Sequence, residues 1–160
     1  MKYLLDTDAF SDIVRGNVSV EARYSSTLPS LVRISSVTVS EIEYGLRLSP
    51  EYAARRGTLI DRLLRKIGTI PFDVEEAYVS GRLRAMLRRA GTPIGPYDVM
   101  IGATALVHGL ILVTANTREF SRIPGLLLEN WRLPLTEVRE TLREYRVNTG
   151  GRSRHSTQQA

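Results

Sequence analysis

Two spacings of apolar residues alternate along this chain, short unbroken runs and stretches that repeat every three to four positions. Lys2-Tyr3-Leu4-Leu5 is a short run closed by Asp6, the pattern of a strand buried on both faces. Thr7 to Arg15 reads as a short helix broken by Gly16-Asn17, and Ser19 to Tyr24 as another helical turn or two before Pro29. Leu31 to Ser35 predicts a second strand. Thr38-Val39-Ser40-Glu41 has the spacing of a capping box and predicts a helix to about Leu48. From Glu51 to Ile67, Leu59, Leu63 and Ile67 recur every four residues and predict a long helix with Gly68 as its C-cap. Thr69 to Phe72 reads as a third strand. A helix follows over Val74 to Ala90, with Val74, Ala77, Leu83 and Leu87 inward and Gly91 as its stop. After a loop from Thr92 to Pro96, the nearly all-apolar stretch Tyr97 to His108 predicts a buried helix ended by Gly109. Leu110 to Thr114 and Leu126 to Leu128 complete the set as strands four and five.

Strands that alternate with helices in this way predict an α/β domain around a parallel sheet. The chain has 160 residues, enough for one domain. Residues 1–133 form the expected domain, with its core ending near Trp131 or Pro134. Residues 134–160 read as a C-terminal extension. In it Leu135, Val138, Leu142 and Tyr145 mark a short amphipathic helix, and a polar tail follows from Gly150.

Composition narrows the class. Cysteine is absent, which removes disulfides and thiolate metal sites. No apolar run reaches the ~18 residues of a membrane span, and Asp6 interrupts any signal-peptide core. A cytoplasmic chain without a membrane partner is the expectation. Lys plus Arg outnumber the acids 22 to 17, a net +5 with a pI near 9.9, and 20 of the 22 cations are arginine. The planar guanidinium fork suits phosphate, although GC-rich codon usage gives the same bias, so charge alone leaves the function open.

Where the acids fall is more informative. Asp6 ends the first strand, Glu41 lies early in the helix after the second, Asp98 opens the buried apolar helix, and Glu119 follows the fourth strand by five residues. The carboxyl ends of parallel strands share one edge, where open α/β sheets bind ligands. Each acid also has a local role open to it: Asp6 as an N-cap, Glu41 as the partner of Thr38, Asp98 and Glu119 as first-turn charges on the helix dipole. As a group they pose an electrostatic problem. Two carboxylates ~4 Å apart repel by about 4 kcal/mol at an effective dielectric near 20. Such a cluster is either protonated or holds a cation, and all-oxygen donors favour Mg²⁺, or Mn²⁺, over zinc. Such an ion beside phosphate-holding arginines suits phosphodiester hydrolysis. Other schemes lack their parts. His108 and His155 are the two histidines, one at an apolar helix end and one in the tail, and no phosphate-binding glycine loop is present.

Four stretches resemble the PIN-domain family, and within it the VapC toxins of bacterial toxin–antitoxin pairs: Leu4-Leu-Asp6-Thr-Asp8, Ser35 to Gly45, Gly91-Thr-Pro-Ile-Gly-Pro-Tyr-Asp98 on to Ala103, and Leu112-Val-Thr-Ala-Asn116-Thr-Arg-Glu119 on to Gly125. The resemblance covers Met1 to about Trp131. It implies a PIN-like three-layer α/β/α fold and a metal-dependent endoribonuclease. Asp6, Glu41 and Asp98 then fall at the family's first three acidic positions, Glu119 at the fourth and Asn116 at a nearby polar position. Asp6 and Asp98 are the metal ligands expected for Mg²⁺. The resemblance also implies an RNA substrate, with initiator tRNA among those of similar members, a homodimer, and a cognate VapB-like antitoxin whose C-terminal segment enters the acidic groove.

The chain departs from the family pattern at three places. Position 8 is Asp where Asn is common, the fourth acid is Glu rather than Asp, and residues 134–160 extend past the usual end. Arg118 and Arg122 flank Glu119 as candidate phosphate contacts. Two rival readings stay open at this level. One is a catalytically silent PIN module that binds RNA or a protein. The other is a haloacid-dehalogenase-like phosphatase built on Asp6-Thr-Asp8, which requires Lys66 as its distant cation.

Overall fold

Tyr3–Leu5 forms β1, the middle strand of an all-parallel five-stranded sheet in the computed structural model, which describes residues 2–134. The other strands are β2 (Val32–Ser35), β3 (Gly68–Ile70), β4 (Ile111–Val113) and β5 (Leu127–Glu129), in the spatial order β3-β2-β1-β4-β5. Leu4 pairs with Arg33 on one side and Leu112 on the other. Parallel neighbours need crossovers long enough to return to the starting edge. Helices α1 (Thr7–Arg15) and α2 (Val18–Ser26) supply the first, with a 3₁₀ turn at Pro29–Leu31; α3 (Ser36–Leu48) and α4 (Pro50–Lys66) supply the second. The third consists of α5 (Val74–Arg89) and α6 (Pro96–Val107), and the short α7 (Thr117–Phe120) lies between β4 and β5.

Successive strand residues point to opposite faces, so adjacent leucines serve different cores. Leu5 packs with Phe10, Ile13, Ile34, Ile60 and Trp131, whereas Leu4 packs with Leu83, Leu87, Ile101, Leu112, Phe120 and Ile123. The result is the expected three-layer α/β/α arrangement, with Ile42 of α3 in the first core and Val37 in the second.

Several local expectations are corrected. The N-cap of α3 is Ser35, whose Oγ accepts from the Thr38 N–H at 3.0 Å, so Thr38 and Glu41 do not form a capping box. A box exists at α5 instead. There Asp73 caps, and Glu76 accepts from the Asp73 N–H at 2.8 Å. Gly68 begins β3 rather than capping α4. The Arg33 side chain crosses it so closely that a Cβ would lie 3.0 Å from Arg33 Cδ. On α5 the inward face is Glu76, Leu83 and Leu87, while Val74 and Ala77 are exposed, because Glu76 turns in to meet Nε2 of His108, the C-cap of α6, at 2.8 Å. Asn17 opens α2 rather than only ending α1, with its side chain accepting from Val20 N–H. The helix expected over Leu135 to Tyr145 and the tail from Gly150 lie outside the described residues.

Candidate active site

The order of the strands creates the site. From β1 the chain moves outward through β2 to β3, then returns to the other side of β1 as β4. At such a switch point the connections leave in opposite directions and open a crevice at the carboxyl ends of the central strands. Asp6 follows β1 here and Thr114 follows β4.

Asp6 is buried, 4% exposed, and it does cap α1, accepting from the Ala9 N–H at 2.7 Å. Its carboxylate also takes a hydrogen bond from the Thr114 hydroxyl. The same Thr114 oxygen accepts the Asn116 N–H at 2.9 Å, and the Asn116 carbonyl accepts from Glu119 N–H at 3.2 Å. Thr114 thus ties the first acid to the turn that presents the fourth. Glu41, half-buried on α3, receives the hydroxyl of Thr7 across the crevice. Asp98 sits in the first turn of α6, with its Oδ2 so near Gly95 that a Cβ there would lie 3.1 Å away.

Electrostatics shows which acids face one another. Burial pushes Asp6 up to about 7, helped by Asp8 and Asp98 and opposed by the bonds from Thr114 and Ala9. Burial also raises Asp98, to about 6, and the charges of Glu119, Glu41 and Asp8 add to the rise. Helices and strands thus bring together all four acids expected from the sequence, and Asp8 joins them from the exposed side of α1. Among the described residues no three acids close tightly enough to enclose a metal ion unaided. The donor set nonetheless fits Mg²⁺ or Mn²⁺. These ions are commonly held by one or two carboxylates, with water and phosphate oxygens filling the other positions. Asp6 and Asp98, two acids that burial holds toward the protonated form in the absence of a cation, meet that requirement.

The remaining candidates divide. Asn116 lies in the turn between Thr114 and Glu119. Arg118 is exposed on α7, and Arg122 donates from Nη1 to the Pro93 carbonyl at 3.1 Å, bracing the loop before Asp98. Sequence reasoning missed Thr7 and Thr114. The available signal was a hydroxyl residue immediately beside each strand-end position. Lys66 closes α4 just before β3 begins, and is therefore at the opposite, amino-terminal edge of the sheet from Asp6, with its Nζ 6.0 Å from the Tyr24 ring. The phosphatase arrangement is therefore not present.

Comparison with known proteins agrees with this geometry. The PIN domain family's model matches residues 3–126. The tRNA(fMet)-specific endonuclease VapC of Salmonella typhimurium is 35% identical over 133 residues, covering 82% of this chain and 98% of that protein. Its counterpart from Shigella flexneri is 37% identical over 132 residues, with the same coverage. Among solved structures, the DNA-bound VapBC of Salmonella typhimurium superposes with a TM-score of 0.75 at 35% identity, covering 82% of this chain and 98% of that one. FitAcB of Neisseria gonorrhoeae does so with a TM-score of 0.72 at 28% identity, covering 81% and 97%.

Proposed function

The chain belongs to the PIN domain family, and from that premise we propose that it is a metal-dependent endoribonuclease, the VapC-like toxin of a toxin–antitoxin pair. The observation that carries the reading is the meeting of acids from separate elements at the switch point, where Asp98 feels both Glu41 and Glu119. A relative named as a tRNA(fMet)-specific endonuclease supports tRNA as the class of RNA to try first. Neighbours solved as VapBC complexes support a VapB-like antitoxin as partner. A homodimer and a cytoplasmic location complete the proposal; among the described residues no helix is long and apolar enough to cross a membrane. Residues 1–133 carry the activity and residues 134–160 are an appendage to it.

Asp6 and Asp98 would hold Mg²⁺ directly or through water. When bound, the ion polarises a phosphoryl oxygen and lowers the pKa of a nearby water. The protein supplies the rest. Thr7 holds Glu41 in place, and Thr114 holds Asp6. Glu119, carried by the turn that Thr114 fastens, accepts a hydrogen bond from the attacking water and orients it. Arg118 and Arg122 neutralise the RNA backbone. In-line attack on phosphorus then expels the 3′ oxygen and leaves 5′-phosphate and 3′-hydroxyl ends.

The test is incubation of antitoxin-free protein with total bacterial RNA and Mg²⁺ or Mn²⁺. Discrete fragments with 5′-phosphate ends are expected, and both EDTA and Asp6→Asn should abolish them. RNA that binds but survives intact would favour the silent module.

A further inference from the structure

Beyond the acids, α7 has a second face. Thr117 and Ser121 lie four positions apart, hence one above the other, while Glu119 projects from nearly the opposite side of the helix. The face bearing Thr117 and Ser121 lines a solvent-open cleft of about 360 Å³ together with Arg118, Leu128, Glu129, Asn130 and Leu133. That volume is at the lower end of pockets that accept small organic ligands, roughly 300–1,000 Å³. Its lining combines two kinds of surface. Leu128 and Leu133 are apolar, and Leu133 is 42% exposed. The polar groups still have bonding capacity. Ser121 Oγ donates to the Arg118 carbonyl at 3.0 Å and keeps its lone pairs; Asn130 Oδ1 accepts from the Arg132 N–H at 3.0 Å and keeps its amide hydrogens.

Apolar walls with polar groups at the edge match one ligand class that a ribonuclease meets, a flat base with unpaired edges. Arg118 adds the element specific to a nucleotide, because it stands between the cleft and Glu119 on the helix and carries a charge complementary to phosphate. We propose that this cleft takes the base of a nucleotide flanking the scissile phosphate. Leu128 and Leu133 contact the ring, Asn130 donates and Ser121 accepts at its edge, and Arg118 holds the intervening phosphate. The inference rests on the RNA-cleaving reading above and adds to it a determinant of sequence preference.

The test uses the full chain carrying Asp98→Asn, so that RNA is bound and not cut, with fluorescein-labelled hexaribonucleotides of uridine in which one position at a time is A, C, G or U. Anisotropy should reveal one position where a single base is preferred by about tenfold, the size of one edge hydrogen bond made to the right base and left unmade to the wrong one. Adding Leu133→Trp, which fills the cleft from an exposed position, should bring the four bases within about twofold of one another. Asn130→Asp, which keeps the acceptor and removes the amide donor, should lower or reorder the preference. Equal binding of all four bases before either change overturns the proposal, as does a preference that survives Leu133→Trp. If the unsubstituted chain cuts RNA and Leu133→Trp cuts the same sites at the same rate, the pocket alone is refuted. If no RNA is bound or cut, the nuclease reading falls and the pocket with it.

Discussion

Gly102 packs so closely under Ile123 that a Cβ on the glycine would lie 2.6 Å from Ile123 Cδ1. The contact matters because of what lies four residues before each: Asp98, one helical turn before Gly102 on α6, and Glu119 on α7 before Ile123 in the turn that follows. Close approach of α6 to the turn after α7 is what brings those two acids within electrostatic range. Gly102→Ala should destabilise the fold by about 1–2 kcal/mol through overpacking and lower RNA cleavage as the acids separate. Ile123→Val removes the offending methyl, so the double variant should recover both thermal stability and cleavage. A double variant no better than the single would show that the contact does not set the spacing.

Asp98→Asn should end cleavage and leave the fold intact. In the absence of divalent ions it should even raise the melting temperature near pH 8, because it removes a charge that burial and three neighbouring acids disfavour. Loss of activity with gain of stability separates a functional acid from a structural one. Calorimetry in EDTA beside an RNA cleavage assay reads both.

The same acids fix the sign of a pH dependence. Asp6 titrates at about 7 in the folded chain against 3.8 for a free side chain, and Asp98 at about 6. Between roughly pH 4 and 7 the folded state therefore holds protons that the unfolded state has lost, and stability falls as pH rises through that window. Glu76 works the other way. Burial raises it, but bonds from its own and the Asp73 backbone N–H and from His108 outweigh burial and lower it, so its contribution disappears only at lower pH. In EDTA the Tm should decline from pH 5 to pH 8, and less steeply for Asp6→Asn. Added Mg²⁺ should raise Tm far more at pH 8 than at pH 5, since it binds the ionised carboxylates.

How much of this was legible beforehand follows from the range of each interaction. Strand runs such as Tyr3-Leu4-Leu5 and the apolar α6 were readable because burial on both faces leaves a composition that no exposed segment shares. The acids at strand ends could be listed for the same reason, with parallel topology implying a common edge. Caps were less secure, because Ser35, Ser36 and Thr38 all satisfy the local rule and only the position of β3 decides among them. Ser36 Oγ is engaged by the Phe72 N–H at 2.9 Å, which leaves Ser35 as the cap. Thr7 and Thr114 stood beside the strand ends, but nothing local distinguishes a hydroxyl that bonds to a carboxylate, as Thr7 does to Glu41 34 residues on, from one that faces water.

Thr7 provides a test of positioning as distinct from chemistry. Its hydroxyl bonds to Glu41 while its backbone belongs to α1, so Thr7→Val keeps the shape and removes the constraint. Cleavage should fall by roughly tenfold, the equivalent of about 1.4 kcal/mol and of one hydrogen bond to a charged group. The loss should appear in kcat rather than KM, and Thr7→Ser should restore most of it. An unchanged rate would mean that Glu41 needs no help to reach its working position.

Arg132 links the end of the described chain to the same helix. Its guanidinium grips Asp12 of α1 through two bonds, Nε to Oδ2 at 2.6 Å and Nη2 to Oδ1 at 2.9 Å. Beside it Trp131 Nε1 and Arg23 Nη2 both bond to the buried Glu129, at 2.9 and 2.6 Å, so the segment after β5 is fastened to the α1–α2 side of the sheet. Arg132→Met leaves the carboxylate of Asp12, 5% exposed, without its partner. The cost should be about 2 kcal/mol, less than for a fully buried pair because water reaches Arg132. Its bond to Asp12, and more weakly the charges of Asp8 and Asp6, raise the pKa of Arg132, so its positive field extends to the edge where the acids gather. Removing that field should tighten Mg²⁺ binding while the fold weakens. Opposite movements of Tm in EDTA and of Mg²⁺ affinity by titration calorimetry are the expected result, and a parallel loss of both would reduce Arg132 to a purely structural clamp.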